Sequence, residues 1–394
     1  MGLRFMTAGE SHGPAVLALL DGVPAGLGLA LWQVDRDLAR RQAGYGRGGR
    51  MLLESDRVSF LAGVRHGKTL GSPIALMVEN KDYENWREAM SPSPVPGHEP
   101  EREVRPRPGH GDFAGMLKFD TDDARNVLER ASARETAARV ATGAVARVLL
   151  EAVAITVRSR VIRIGEVTAD LAGDMTEGSF MKADDNILRC PDEEASARMV
   201  AAIDAAGAEG DTLGGVFEVC AFGVMPGLGS YAQHDFRLDG RLFAAMASIP
   251  AIKGVEAGSG FDAARERGSS AHDEIVFSAE LGAHRETNRA GGLEAGMSNG
   301  EPVLLRAAMK PIPSLARPLS TVDMDTLEPA VAFKERADVC AVPAAAVVGE
   351  AAVALVLADA LLDKFGGDTV SDLLASCDRY LERIARVWLP RKHP

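Results

Sequence analysis

Two histidines stand in short, glycine-bounded segments that suit proton transfer. His12 lies in the segment GESHG, directly after a predicted strand, and His110 lies in the segment RPRPGHG. Histidine titrates near neutral pH, so a histidine presented by such a loop can act as an acid or a base. The other interpretation is structural: an ordinary satisfied histidine at position 12 and a rigid surface turn around position 110.

Arginines are the second group of candidate residues. They are locally dense, although the chain carries a formal net charge of −12. Clustered arginines in an acidic protein can focus positive potential into one cleft, and their planar fork grips phosphate and carboxylate groups. The alternative is pairing with nearby acids on helix surfaces. The clusters are Arg36, Arg40, Arg41, Arg47 and Arg50; Arg102, Arg105 and Arg107; and Arg125, Arg130, Arg134 and Arg139.

A glycine-arginine loop at residues 44–50 contains GYGRGG, which matches the pattern GxGxxG. That pattern indicates dinucleotide binding only where it follows a strand and opens a helix. Here it follows a predicted helix, so we interpret it as a flexible loop that presents Arg47 and Arg50 to an anion. The alternative is a plain glycine turn.

The segment ERASARET at residues 129–136 opens the strongest predicted helix. Ser132 could cap this helix, with Glu135 three residues later forming a capping box. A helix N-terminus with arginines nearby is also a natural phosphate site. Capping requires no ligand and is compatible with binding.

Two segments near the C-terminal third complete the candidates. Lys310 and Ser314 follow a predicted strand and could reach a phosphate, or could simply be a polar strand exit. In KERAD at residues 334–338, Asp338 could be a base beside a bound cation or cofactor, or a salt-bridge partner of Arg336. The sequence has no metal-ligand cluster and supports no Ser-His-Asp or Cys-His assignment. The set suits an enzyme that acts on a small, multiply anionic substrate.

The elements that must position these residues come in runs of strands and helices rather than in strict alternation. This order favours an α+β fold over a doubly wound parallel sheet, and with no convincing linker we expect one compact domain over residues 1–394. The predicted strands are Leu3–Thr7, Val16–Leu20, Leu27–Leu31, Arg57–Val64, Pro73–Glu79, Ile155–Ile164, Gly215–Val224, Glu274–Ala279 and Val303–Met309. The predicted helices are Val34–Gln42 with Asp35 as its cap, Ser132–Val153 with one apolar face, Asp192–Ala206, Pro343–Leu362 and Thr369–Trp388. Residues 91–110, rich in proline and charge, are predicted to be a surface or active-site loop.

Charge, cysteine use and hydropathy exclude several classes of protein. The net charge of −12 argues against a general nucleic-acid binder. Four widely separated cysteines argue against a zinc site or a disulfide framework and fit a reducing cytosol. The apolar stretches Pro14–Trp32 and Val339–Leu362 are interrupted by charged residues, so neither is a clean membrane span. We therefore expect a cytoplasmic protein.

The ordered set of motifs resembles the chorismate synthase family. The resemblance extends over nearly the whole chain and keeps the family order, which makes it highly specific. The motifs are GESHG at 9–13, RRQAGYGRGGR at 40–50, GVRHGKTLGSPIA at 63–75, RPGH at 107–110, ERASARET at 129–136, GDTLGG at 210–215, IPAIKGVE at 249–256, GMSNG at 296–300 and MKPIPS at 309–314.

This resemblance implies a fold, a reaction and partners. The implied fold is a compact α+β protein with helices sandwiched between antiparallel β-sheets, assembled as a homotetramer. The implied activity is the elimination of phosphate and the C6 hydrogen from 5-enolpyruvylshikimate 3-phosphate to give chorismate, with reduced FMN as cofactor and no net redox change. It is a lyase reaction of aromatic amino acid biosynthesis. A separate flavin reductase or other electron source is expected, and reduction of the flavin by NADPH on the chain itself stays open.

The resemblance also implies roles for individual residues. His12 would protonate the leaving phosphate or stabilise its charge, His110 would protonate reduced flavin, and Asp338 would act with flavin N5 in removing the C6 hydrogen. The residues implied to hold phosphate and carboxylates are Arg41, Arg47, Arg50, Arg107, Arg134 and Arg336. The residues implied to hold FMN are Arg130, Ala131, Ser132, Pro250, Ala251, Ala295, Lys310, Pro311, Ile312, Pro313, Ser314 and Arg336.

Three positions depart from the family pattern. Ala337 stands where the family commonly has Ser or His, Ala295 where Gly is common, and Ser314 where Thr is usual. The first two bear on contacts with the flavin, whereas Ser314 keeps the hydroxyl group. Two other classes of protein remain as alternatives: a flavin oxidoreductase that consumes NADPH, and a non-catalytic phosphate-ligand sensor or RNA-binding scaffold.

Overall fold

The computed structural model describes residues 2–48, 55–97, 101–171, 173–279, 282–335 and 338–388. The strands are β1 Arg4–Ala8, β2 Ala15–Asp21, β3 Val58–Ala62, β4 Val64–Arg65, β5 Lys68–Thr69, β6 Ile74–Glu79, β7 Thr156–Ile164, β8 Val167–Thr168, β9 Gly215–Phe222, β10 Ile252–Ala257, β11 Ile275–Ser278, β12 Gly282–Arg285, β13 Leu293–Glu294, β14 Met297–Ser298, β15 Val303–Met309, β16 Ser320–Val322 and β17 Pro329–Val331. The α-helices are α1 Leu31–Gln42, α2 Asp112–Phe119, α3 Arg125–Ala131, α4 Thr136–Glu151, α5 Glu177–Lys182, α6 Glu193–Glu209, α7 Leu238–Ala247, α8 Gly268–Ala271, α9 Val342–Phe365 and α10 Val370–Trp388.

Two antiparallel sheets enclose a layer of helices. The first sheet has the order β1-β2-β6-β3 and the second has the order β10-β15-β9-β7-β8. Helices α1 and α4 pack on the first sheet, α9 packs on strands β7 and β9 of the second, and α4 and α9 pack against each other. This arrangement confirms the α+β fold.

Strand β2 illustrates why the first sheet has a buried face. Its residues alternate, with Val16, Ala18 and Leu20 buried and the intervening Leu17 and Leu19 exposed. Side chains of a strand point to opposite faces in turn, so this period of two places one apolar set against the helices.

Helices α4 and α9 form the centre of the molecule and approach each other closely. A Cβ atom at Gly143 of α4 would lie 2.3 Å from the Cβ of Ala351 on α9, so only glycine permits this contact. The prediction that the apolar residues of α4 form one face is too narrow, because the helix is buried from Thr136 to Leu150 except at Arg139. A helix that lies between two sheets must be apolar almost all round.

Among the described residues, α9 is the one helix that is long and apolar enough to cross a membrane, judged by length and composition alone. However, 89% of its most apolar window is buried inside the protein. The helix is therefore explained by its position in the core, as its interrupting charges Glu350 and Asp359 had indicated.

Two local predictions near the N-terminus are wrong. Residues 27–31 do not form a strand. Gly28 makes an isolated bridge with Lys68 of β5, and Leu31 is already the first residue of helix α1. Asp35 does not cap α1, which begins earlier, after Ala30, whose backbone N–H donates to the Gln33 side chain at 2.8 Å. The Asp35 carboxylate instead accepts from the backbone N–H of Val58 at 2.8 Å.

The start of α4 also differs from the predicted capping box. Ser132 caps a 3-10 turn over Ala133–Glu135, where its hydroxyl accepts from the backbone N–H of Arg134, and α4 begins at Thr136. The Glu135 carboxylate pairs with Arg139 one turn later, at 2.6 Å. The turn brings the arginine at 134 to the start of the helix.

Candidate active site

Several segments that are distant in sequence converge on one cavity of about 520 Å³. This volume falls within the range of about 300–1,000 Å³ usual for small-molecule sites. The lining residues are Ser11, Arg41, Arg47, Gly48, Arg107, Gly109, His110, Gly111, Leu128, Ala131, Ser132, Ala133, Arg134, Thr136, Ile249, Pro250, Ala251, Met309, Lys310, Ile312, Pro313, Ser314, Glu335, Asp338, Ala341, Ala344, Ala345 and Val348. Four arginines and one lysine among them are cationic, and two acids, Glu335 and Asp338, also line the wall.

Arg41 and Arg134 are held together by one buried acid. Asp56 accepts from Arg134 at 2.7 Å and from Arg41 at 3.3 Å. The Nε of Arg41 also donates to Thr136 at 2.9 Å, and the Nε of Arg134 donates to Asn80 at 2.6 Å. These contacts link the C-terminal end of α1 to the start of α4. Both guanidinium groups are therefore held at the cavity wall.

The glycine-arginine loop joins the segment that precedes α9. Arg47 pairs with Asp338 at 2.7 Å, and the backbone N–H of Gly48 donates to the other Asp338 oxygen at 2.7 Å. The loop follows helix α1, so the rejection of a dinucleotide-binding fold stands. Arg47 Nε is buried and has no hydrogen-bond partner among the described residues.

Arg107, His110 and Asp112 form a compact charged group at the end of the proline-rich loop. Asp112 is fully buried at the start of α2 and accepts from Arg107 Nε at 2.9 Å and from His110 Nδ1 in a very short contact. Burial alone would raise the pKa of Asp112, but the hydrogen bonds from His110 and Arg107 outweigh it and lower the pKa to about 2. With Nδ1 held by Asp112, the ring of His110 is fixed beside the cavity.

His12 lies outside the cavity lining, next to Ser11, which is part of it. The His12 ring Nδ1 and its backbone N–H both lie 2.8 Å from the carboxylate of Glu129. Its imidazole stacks on the indole of Trp86 with ring centroids 3.9 Å apart. His12 is thus held from two sides just behind the wall.

The stretches predicted to hold a cofactor are partly brought together. Those that line the cavity are Ala131, Ser132, Pro250, Ala251, Lys310, Ile312, Pro313 and Ser314. The predicted residues that do not line it are Arg130, Pro311 and Ala295. Arg130 bonds the backbone of Thr7 and Gly9 instead, and Ala295 forms the turn between β13 and β14. Arg50, Arg336 and Ala337 lie outside the described residues.

Sequence reasoning missed several residues of the site. Asp56 belongs to no recognised motif. Its role in holding Arg41 and Arg134 is visible only in the structure, where α1 meets the 3-10 turn. Glu335 stands within KERAD and lies 3.8 Å from both Arg107 and Arg125, so its neighbours in sequence were a usable signal. An apolar part of the wall comes from Leu128, Ile249, Ala344, Ala345 and Val348. The α9 residues of this wall could not be distinguished in the sequence from the other apolar residues of the same buried helix.

An α+β fold that encloses a cavity lined by four arginines, one lysine and one histidine is typical of an enzyme for small anionic ligands. The chorismate synthase family model matches residues 3–362. The chain is 59% identical to the chorismate synthase of Rubrobacter xylanophilus over 385 residues, covering 98% of each chain. It is 55% identical to that of Desulforudis audaxviator over 382 residues, covering 97% of this chain and 98% of the other.

A solved structure agrees with these relatives. A crystal structure of a chorismate synthase superimposes with a TM-score of 0.79 at 42% identity, covering 98% of each chain. The chain therefore belongs to the chorismate synthase family.

Proposed function

We propose that this chain converts 5-enolpyruvylshikimate 3-phosphate to chorismate, with reduced FMN bound in the same cavity. The observation that carries the proposal is the cavity in which Arg41, Arg47, Arg107 and Arg134 meet. The reaction breaks the bond from C3 to the phosphate oxygen and removes a hydrogen from C6. The carbon skeleton gains one double bond, and phosphate and a proton leave.

The arginines account for substrate binding. The substrate carries one phosphate and two carboxylates, and holding such a charge away from water requires several cationic donors. Each cavity arginine already has an acidic partner that fixes its orientation, such as Asp56 for Arg41 and Arg134. These oriented donors would bind the anionic groups with little reorganisation.

The cavity also fits a flavin phosphate. Apolar side chains of Ile249, Ala344 and Val348 offer a wall for an aromatic ring, and Lys310 and Ser314 offer donors for a phosphate. Burial and the neighbouring Lys253 lower the pKa of Lys310, and its ammonium group donates to the carbonyl of Gly109. When bound, reduced FMN would supply an electron-rich ring that lends charge transiently.

Three residues would handle protons. His12 would protonate the departing phosphate or stabilise its charge, and His110 would hold a proton inside the cavity for the reduced flavin. Asp338 would accept the hydrogen removed from C6 as a proton. Its pairing with Arg47 at 2.7 Å orients the carboxylate.

The remaining parts of the proposal follow from the family. The protein would be one domain over its length, would work as a homotetramer in the cytoplasm, and would receive reduced flavin from a separate reductase or other electron source. Use of NADPH by the chain itself is the variant of this proposal that an assay with NADPH and oxidised FMN would reveal.

The test is an anaerobic assay with dithionite-reduced FMN and 5-enolpyruvylshikimate 3-phosphate, in which chorismate absorbance and released phosphate are followed together. We expect equal amounts of both products while FMN stays reduced. In the parallel assay with NADPH and oxidised FMN, net consumption of NADPH in proportion to turnover would favour a flavin oxidoreductase instead, whereas consumption that only reduces the flavin would show the NADPH variant of the proposal. Binding of substrate and flavin with no product would refute the proposed activity.

A further inference from the structure

We propose that Glu129 and Trp86 are positioning residues that align His12 and favour its protonated form. The inference rests on the proposed function only in assigning the acid role to His12. The assembly joins His12 to Glu129 and Trp86, two residues to which the family resemblance above gives no role in catalysis.

Glu129 holds His12 with both carboxylate oxygens. Oε1 lies 2.8 Å from the ring Nδ1, and Oε2 accepts from the backbone N–H at 2.8 Å. The backbone carbonyl of Glu129 also accepts from the N–H of Ser11 at 2.9 Å. Three contacts from one residue hold both the loop and the imidazole. Because an ionised carboxylate can only accept hydrogen bonds, Nδ1 is the ring nitrogen that donates to Glu129.

The pair is also shielded from water. The side chains of His12 and Glu129 are only 7% and 4% exposed. A buried carboxylate is costly unless it is paired, and a proton on the imidazole supplies the opposite charge. Burial would raise the pKa of Glu129, but the hydrogen bond and charge of His12 outweigh it and lower the pKa.

Trp86 covers one face of the imidazole. It follows a 3-10 turn over Lys81–Asn85, and its ring stacks on His12 with an interplanar angle of 28°. The face of an indole is electron-rich, so it attracts a cationic imidazolium more than a neutral ring. The stack therefore adds to the same preference as Glu129.

Other charged groups around the assembly set the balance. Arg125 lies 3.1 Å from Glu129 and 5.0 Å from the Trp86 ring, and it opposes a positive charge on His12. Arg125 in turn lies 3.8 Å from Glu335, and the Trp86 indole N–H donates to Asp82 at 3.3 Å.

The first test is turnover as a function of pH. Glu129→Gln keeps the shape of the side chain and removes its charge, so kcat should fall by about 10- to 100-fold, less than for complete loss of a general acid. The alkaline limit of the pH profile should move to lower pH, because the imidazolium has lost its carboxylate. Glu84→Gln, at an exposed position, is the matched control and should leave both unchanged.

The second test needs no activity and therefore separates this inference from the proposed function. A protonated imidazole stacked on an indole quenches its fluorescence, so Trp86 emission should fall as the pH is lowered. Trp86→Phe should abolish this titration, whereas Trp32→Phe, on the exposed surface of α1, should retain it. Glu129→Gln should move the midpoint to lower pH, and Glu129→Asp should return it toward the wild-type value.

Each outcome decides the inference. If Glu129→Gln and wild type quench with the same midpoint, or Trp86→Phe leaves the titration intact, the inference is wrong. If Glu129→Gln does not fold, Glu129→Asp replaces it: its shorter carboxylate cannot keep both contacts with His12, so kcat should fall and the midpoint should move to lower pH. An unchanged kcat with an unchanged midpoint overturns the inference. If the Trp86 fluorescence titrates as expected but the protein makes no chorismate, this inference is supported and the proposed function is refuted.

Discussion

Two arginine-rich clusters meet on helix α1, where the adjacent residues Arg40 and Arg41 turn to different sides. Arg40 points into the core and binds both oxygens of Glu350 at 2.7 and 2.8 Å. Arg41 points to the cavity and binds Asp56 and Thr136. We call the first group, Glu350 with Arg40, Arg147, Arg189 and Asp37, the core cluster, and the second, the four cavity arginines with their acids, the cavity cluster.

The difference between the clusters is what lies beyond the ion pairs. Glu350 is fully buried and receives Arg40, Arg147 and Arg189 together with the hydroxyl of Ser159 at 2.7 Å. These side chains enclose the Glu350 carboxylate, which is 0% exposed, so its charge is compensated within the fold. The arginines of the cavity cluster are paired as well, yet they also border an open volume.

Unpaired guanidinium nitrogens do not distinguish the clusters. Buried Nε atoms without partners occur in Arg147 and Arg189 of the core cluster as well as in Arg47 of the cavity cluster. The two clusters are thus alike in their ion pairs and in having buried Nε atoms without partners. Only the adjoining cavity distinguishes the cavity cluster as a binding site. The same residue type serves stability on one side of α1 and binding on the other.

The largest expected effect comes from breaking the core cluster. Glu350→Gln would leave three buried arginines with too little negative charge, so the free energy of unfolding should fall by about 3–5 kcal/mol. Burial would raise the pKa of Glu350, but Arg40 and Arg147 outweigh it and hold the pKa well below the ordinary glutamate value. Urea denaturation at neutral pH measures the loss, with Glu84→Gln as control. A loss below about 1 kcal/mol would mean that Asp37 and Asp184 suffice for the three arginines.

The adjacent arginines offer a matched pair for the next effect. Arg41→Met should lower kcat/KM by about 10- to 150-fold, since hydrogen bonds to charged groups contribute about 1.5–3 kcal/mol each. Arg40→Met should instead lower the free energy of unfolding and change kcat/KM by no more than a few-fold. Steady-state kinetics and urea denaturation of both variants measure the contrast. Equal effects on kcat/KM would show that the two clusters act as one unit.

The sequence predicted those parts of this comparison that depend on local pattern. Helices α9 and α10 and strands β2, β6 and β15 lie within three residues of their predicted bounds, because apolar periodicity and Pro or Gly boundaries are local signals. Four of the six arginines implied to bind substrate line one cavity together with His110, and the other two lie outside the described residues.

What the sequence did not predict depends on contacts between distant segments. Asp56 stands in no motif, yet it links α1 to the turn before α4. Trp86 and His12 are separated by more than seventy residues and meet only through the fold. Arg40 and Arg41 look equivalent in sequence, and only the packing of α1 between α4, α9 and the first sheet assigns them to different clusters.

A smaller effect concerns acid stability at the edge of the cavity cluster. The pKa of Asp112 is lowered to about 2 in the folded protein, against about 3.9 for an unfolded aspartate. A carboxyl group whose pKa is lowered by folding stabilises the folded state fully at a pH above its unfolded-state pKa. This contribution is lost as the pH falls toward its folded-state pKa. The difference in unfolding free energy between wild type and Asp112→Asn should thus be constant above about pH 5 and shrink toward pH 2. Urea titrations at pH 6, 4 and 3 would contradict this if the difference grew on acidification.

The smallest expected effects concern two alanines with a left-handed backbone, one on the cavity wall and one away from it. Ala251 has φ 69° and Ala295 has φ 49°, and each replacement by Gly should relieve strain and change the unfolding free energy by about 1 kcal/mol or less. Only Ala251 lines the cavity, so we expect Ala251→Gly to change the Kd for reduced FMN more than Ala295→Gly does. Thermal melts and anaerobic flavin titrations of both variants measure the two quantities. If Ala295→Gly shifts the Kd as much as Ala251→Gly, the β13–β14 turn reaches the flavin as the family resemblance implies, and the binding surface extends beyond the cavity of one chain.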